Sequence, residues 1–204
     1  MTTITQTELE AYLWNAVTQL RGLIDANDYK QYIFPLLFYK RLCDVWKEEY
    51  EHAYTESDDK HFSIQMANDR FNIPDTAQWD KIRSKPTDVG SALINAFQEI
   101  ESANPDRLKG AFGTAPWTDK TTTPDATLKN LIEQFSRHDL TLANVPEDML
   151  GNAYEYLIKQ FLSPDKKNLD LSNQNIGDKG AITLSNSKSI KRLKKLMLPN
   201  NNIG

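Results

Sequence analysis

The sequence predicts a mainly α-helical protein: a bundle of about five to six helices with irregular loops, then a short α/β segment of different texture. Three observations carry this expectation. Apolar residues recur at three- and four-residue spacing in several windows. Hydrophobic residues make up 39% of the chain and aromatic residues 10%, enough for a packed core. The pattern then changes abruptly at Ser163-Pro164, from a Tyr- and Leu-rich helix to short apolar runs spaced by Asn, Asp and Gly. The 204 residues fit one substantial domain with a smaller appendage, divided here as 1–163 and 164–204. Charge breaks at the same point. Residues 1–163 carry 16 Lys and Arg against 25 Asp and Glu, a balance of −9, whereas 164–204 carry 8 against 3, a balance of +5.

The first helix is expected over 7–24. Thr7 and Glu10 have capping-box spacing, and Leu13, Trp14, Val17, Leu20 and Ile24 make one apolar face. The second helix is expected from Asp28 to about Tyr50. It is apolar nearly all round through Tyr32, Ile33, Phe34, Leu36, Leu37 and Phe38, which makes it the central buried helix, with Pro35 kinking it. Its later half has Leu42, Cys43 and Trp46 inside and Lys47, Glu48, Glu49 and Glu51 outside. Residues 52–88 lack sustained periodicity and read as an ordered excursion pinned by Phe71, Ile73, Trp79 and Ile82. A third helix spans about 89–103, closed by Asn104-Pro105. The Gly-, Pro- and Thr-rich stretch 108–125 reads as a long loop. Further helices follow at about 125–136 and 146–162.

Beyond Pro164, LDLSNQNIG (169–177) and LMLPNNNIG (196–204) share apolar spacing and an Asn-rich turn at an offset of 27 residues. That period lies in the leucine-rich-repeat range, so the tail is read as leucine-rich-repeat-like. It holds one full unit and the start of another, while stacked repeats need about three units for a continuous core. The tail is therefore expected to be poorly ordered or packed against the helical body.

Chemistry-bearing motifs are scarce. His52, His61 and His138 lack metal-ligand spacing, and one cysteine cannot build a structural zinc site. Neither a G-x-S-x-G elbow nor a phosphate-binding G-x-x-x-x-G-K-[ST] loop occurs. Glu147-Asp148 opens a helix, where capping outweighs acid–base work. No catalytic, cofactor-binding or metal residues are assigned. Tyr12, Tyr29, Tyr32, Tyr39, Tyr154 and Tyr156 sit at core spacing, so packing outweighs base stacking. Arg21, Lys30, Lys40, Arg41 and Lys47 cluster on the first two helices. A solvated helix face is the default for these five, and a phosphate-contacting patch is the functional alternative. Cys43 cannot form an internal disulfide, which suits a reducing, cytoplasmic setting. The apolar run YIFPLLFY (32–39) is too short to span a bilayer.

The body resembles the N-terminal helical domain of the modification (HsdM) subunit of type I restriction–modification systems. The residues that carry this are LWNAVTQLRGLIDANDYKQYIFPLLFYKRLCDVWKEEY (13–50), FNIP with the following Trp79, LINAFQEIE (93–101), LKGAF (108–112) and EDMLGNAYEYLIKQF (147–161), in order. The resemblance implies a subunit that methylates adenine N6 with S-adenosylmethionine, in complex with a specificity subunit that reads DNA, and with the restriction subunit in the full system. The helical domain would help hold DNA and the specificity subunit. The family's Gly-Glu-Phe-Tyr-Thr-Pro-type stretch, cofactor loop and Asn-Pro-Pro-Phe/Tyr motif have no counterparts after residue 162, so the chain alone is expected to be inactive and to bind no cofactor. The runner-up is a protein–protein interaction module using the tail, whose positive charge suits an acidic surface. The tail is open to reading as a rearranged end of a truncated or fragmentary protein, or as a fusion.

Overall fold

The computed structural model describes residues 4–25, 28–161, 168–171, 176–186 and 195–202. Helices dominate: α1 (Gln6–Thr18), α2 (Tyr29–Ser57), α3 (Lys60–Arg70), α4 (Trp79–Arg83), α5 (Val89–Ala103), α6 (Pro105–Leu108), α7 (Asp125–Phe135), α8 (Glu147–Phe161) and α9 (Gly177–Asn186). The only strands among the described residues are β1 (Asn168–Asp170) and β2 (Lys195–Met197). The helix count exceeds the expected five to six because the middle of the chain is more helical than its periodicity shows.

α1 starts earlier than expected. Thr5, not Thr7, is its N-cap, and Glu8 completes the capping box by accepting from the Thr5 amide at 2.8 Å. The helix also ends early, at Thr18, and Leu20 and Ile24 reach the core from the turns that follow.

α2 runs unbroken through Pro35 and beyond Tyr50 to Ser57. The extension is held by α3, an antiparallel partner that hydropathy alone does not reveal. α3 has little apolar asymmetry and buries only Ser63 and Ala67, small residues that allow close helix approach. Asp58 closes α2 in a left-handed conformation (φ 51°), and the Asp59 carboxylate caps α3 by accepting from the amides of His61 and Phe62.

The centre of the core is Tyr39. Its hydroxyl donates to the Ala77 carbonyl at 2.7 Å, and its ring meets Trp79, Phe97 and Phe112. Phe97 and Phe112 stack with centroids 4.4 Å apart. Phe112, Ala115 and Trp117 are all buried, although they belong to the stretch read from sequence as a loop. The stretch is a loop, but it is inserted into the bundle. Gly90 is what admits it: a Cβ there would lie 2.0 Å from the Trp117 carbonyl oxygen. At the far side, Tyr12 donates to the Phe135 carbonyl and Gln134 donates back to the Tyr12 carbonyl, tying α1 to α7.

β1 and β2 pair in parallel with Leu169 opposite Leu196, so the two stretches of matching spacing lie side by side. Buried Asn201 knits the turns together, donating to the carbonyls of Leu171 and Leu198 and accepting from the Ile176 amide. Leu171 is buried in the common core, and Ile176, Leu184, Leu196 and Leu198 pack against it. The described part of the tail is thus packed on the helical body. PDKK and much of the inter-strand connection lie outside the described residues.

Several surface carboxylates are held below their usual range. Asp125 accepts from the Asp88 and Val89 amides at the start of α5, and Glu133 takes a two-pronged bond from Arg83. A carboxylate depressed in the folded state contributes stability above its unfolded pKa and loses it as pH falls through the folded value. The urea midpoint is therefore expected to be flat near neutrality and to fall below about pH 4. Asp125→Asn should flatten that fall, which urea titrations across the acid range would measure.

Candidate interaction site

Lys40, Asp44 and Glu48 follow one another at four-residue spacing on one side of α2, with Arg41 beside them. On an exposed helix such residues contribute little. Here they grip backbone. Asp44 forms an ion pair with Lys40 and accepts from the Leu140 amide. Arg41 donates through Nη1 to the carbonyls of Leu140 and Thr141. Glu48 accepts from the amides of Leu142 and Ala143, at 2.7 and 3.0 Å. Asn144 continues the clamp, accepting from the Ile4 amide and donating to the Asp139 carbonyl. Segment 139–144 carries the chain from α7 to α8 with no secondary structure to absorb its amides, so side chains take them. Burial pushes the Asp44 carboxyl up, against the pull of Lys40, and pushes the Arg41 guanidinium down, against Glu48, Glu147 and Asp44.

This corrects part of the expected basic face. Lys40 is 2% exposed and Arg41 8% exposed, so neither lies on a solvated helix surface, because both are used to hold segment 139–144. Arg21 is exposed just past α1, its guanidinium 5.8 Å over the Trp14 ring. Lys30 is half-buried in the first turn of α2, and Lys47 is exposed. Lys47 shares a shallow depression with Arg83, Asp80 and Asp139, so its surroundings are of mixed charge. Lys40 lines the same depression, and its burial together with Arg41 takes both off the solvated face of α2.

Against the same helix lies an apolar hollow of about 330 Å³ between body and tail. Phe34, Phe38, Tyr154 and Ile158 line one wall and Leu171 and Leu184 the other. Phe34 and Tyr154 stack at 4.1 Å, which joins α2 to α8 along its edge. Cys43 is buried, and burial raises its thiol, so it offers no ready nucleophile. Among the described residues no group of three or more His, Cys, Asp and Glu could hold a metal ion. His52 faces Glu56 at 3.7 Å and His138 sits edge-on to Tyr12. No described helix is long and apolar enough to cross a membrane. This arrangement positions segments and presents surfaces.

The HsdM N-terminal domain family matches residues 9–135, from the first turns of α1 to the end of α7. The chain belongs to that family. The HsdM N-terminal domain thus covers Tyr39, the aromatic centre and every α2 residue of the clamp. A curated relative, the type I restriction enzyme MjaIX methylase subunit of Methanocaldococcus jannaschii, is 23% identical over an alignment of 179 residues that covers 78% of this chain and 32% of that protein. The crystal structure of the type I restriction–modification system methyltransferase subunit from Streptococcus thermophilus superposes with a TM-score of 0.65 at 21% identity, covering 95% of this chain and 52% of that one. That likeness concerns the fold. The chain spans about a third of the curated relative's length and about half of the solved subunit's.

The residues that sequence reasoning misses are Asp44, Glu48 and Asn144. The four-residue spacing of the first two on α2 is visible, but on an isolated helix it reads equally well as a solvated ion-pair row. Only the arrival of segment 139–144 gives them a task.

Proposed function

We propose that this chain is the accessory helical domain of a type I restriction–modification adenine-N6 DNA methyltransferase subunit, contributing contacts to DNA and to the specificity subunit in the cytoplasm. The supporting observation is the family match across α1 to α7. The HsdM N-terminal domain would occupy residues 1–163, and segment 139–144 would be held rigid by the clamp while exposed residues meet partners. Of the basic candidates, Arg21, Lys30 and Lys47 carry the phosphate-contacting role in this reading, and Lys40 and Arg41 act only by holding structure. S-adenosylmethionine is assigned outside this chain. The hollow beside α2 is lined mainly by apolar side chains, and its described residues make a poor match for adenine, ribose and an amino-acid head.

The test is a DNA titration at low salt, with and without the specificity subunit. Weak, salt-sensitive binding that the specificity subunit strengthens is expected. Charge reversal at Arg21 or Lys47 should reduce the slope of log affinity against log salt by about one for each phosphate no longer neutralised. No binding of either partner would overturn the proposal.

A second reading is favoured by one observation: the parallel pairing of Leu169 with Leu196 at the expected offset. Here residues 164–204 are a leucine-rich-repeat-like segment that recruits another protein. Deleting them would then abolish partner capture while leaving DNA binding intact.

A further inference from the structure

Four large apolar side chains among the described residues are exposed, and three of them, Tyr54, Phe62 and Met66, lie on the α2–α3 hairpin. Tyr54 ends a ladder. Trp46, Tyr50 and Tyr54 follow at four-residue spacing on α2, with rings nearly parallel: 5.5 Å and 6° between the first two, 6.0 Å and 7° between the second and third. The inner rung is anchored, since the Trp46 indole donates to Asn68 of α3 at 2.8 Å. The outer rung is 43% exposed.

The surroundings of that outer rung are acidic. Helical spacing places Glu51 and Asp58 beside Tyr54, both exposed, and Asp58 lies close enough to raise the tyrosine phenol. From residue 47 to 62 the chain carries six carboxylates against Lys47 and Lys60. Two of the six, Glu48 and Glu49, are turned to other tasks, by segment 142–143 and by Arg70. Elsewhere the protein covers aromatic faces with its own cations: Arg21 over Trp14, Lys40 over Trp79 and Arg107 over Phe71. Among the described residues none is placed over Tyr50 or Tyr54.

We propose that the outer end of this ladder, Tyr54 with Tyr50 behind it and Glu51 and Asp58 at its edge, binds an arginine side chain presented by a partner protein. A guanidinium is planar and weakly hydrated, so it stacks on an aromatic face while its N–H groups, pointing outward in its own plane, meet carboxylates beside the ring. Lysine offers a point charge without the stack. A nucleobase would stack as well, but its phosphates would meet the carboxylates of Glu51, Glu56, Asp58 and Asp59, which disfavours nucleic acid at this face. The inference does not depend on the DNA-contacting role of Arg21, Lys30 and Lys47, and a failure of either leaves the other standing.

The probes are a blocked amphipathic peptide carrying arginines one helical turn apart, its all-lysine counterpart and a single-stranded DNA oligonucleotide. Each is titrated calorimetrically into the whole chain at low salt. The arginine peptide should bind more tightly than the lysine peptide. Tyr54→Ala and Asp58→Asn should each weaken it by about two- to fivefold, the range of one exposed cation–π contact, while Tyr54→Phe keeps wild-type binding. Both positions are exposed, so unchanged circular dichroism should confirm intact folding. Equal affinity for the lysine peptide, indifference to Tyr54→Ala, no arginine-peptide binding, or preference for the oligonucleotide would each overturn the proposal.

Discussion

Asp44→Ala is expected to destabilise the protein by about 3–5 kcal/mol, because removing one partner of a buried ion pair strands the other charge. Lys40 is 2% exposed, and its remaining carboxylate neighbour, Asp139, is 3.9 Å away and largely solvated. The Leu140 amide would lose its acceptor in the same step. Asp44→Asn separates these effects. It can still accept from Leu140 but no longer neutralises Lys40, so its cost should lie between wild type and alanine. The check is a shift of the urea midpoint at constant slope, with amide exchange of residues 139–144 rising more than that of α5. A loss spread evenly over all amides would show that the clamp is not a local device.

Phe112→Ala should cost about 3–5 kcal/mol through reduced burial and the cavity left behind. The ring is 1% exposed, stacks on Phe97 and touches Phe38 and Tyr39. Phe112→Leu keeps most of the volume and should cost markedly less. Thermal or urea unfolding of the two variants measures the difference. The result has a particular meaning because Phe112 comes from a Gly-rich connection, flanked by Gly110 and Gly113 in left-handed conformations (φ 75° and 67°). A residue that could be cut from an ordinary surface loop is here a central part of the core.

These two residues mark where the sequence is legible and where it is not. The helices with a strong one-sided apolar pattern, α5, α7 and α8, can be placed from it to within a residue or two. Periodicity of burial is a local property and survives in one dimension. α3 escapes because it packs through Ser63 and Ala67, whose small size leaves no apolar stripe to detect. Its register against α2 comes from caps and from contacts such as Trp46 with Asn68. The start of α1 is ambiguous because Thr5-Glu8 and Thr7-Glu10 both satisfy the capping pattern, and in the folded chain Thr5 and Glu8 form the box.

The charged residues divide in the same way. Lys40 and Arg41 look like Arg21 and Lys47 in sequence, and all four are candidates for one basic face on that ground. The fold buries two of them, because segment 139–144 passes over α2 about 100 residues later in the chain and brings backbone groups that need partners.

By itself, the sequence determined the helical class, the buried character of α2, the change of texture at Pro164 and the resemblance to the HsdM N-terminal domain. All of these rest on composition, local periodicity or motif order. Tertiary structure alone decided which charges are buried and which loop enters the core. It also decided that Tyr54 stands at the open end of a stacked ladder. These depend on which distant segments meet, and burial converts a side chain that would be indifferent in water into one that must be paired or packed.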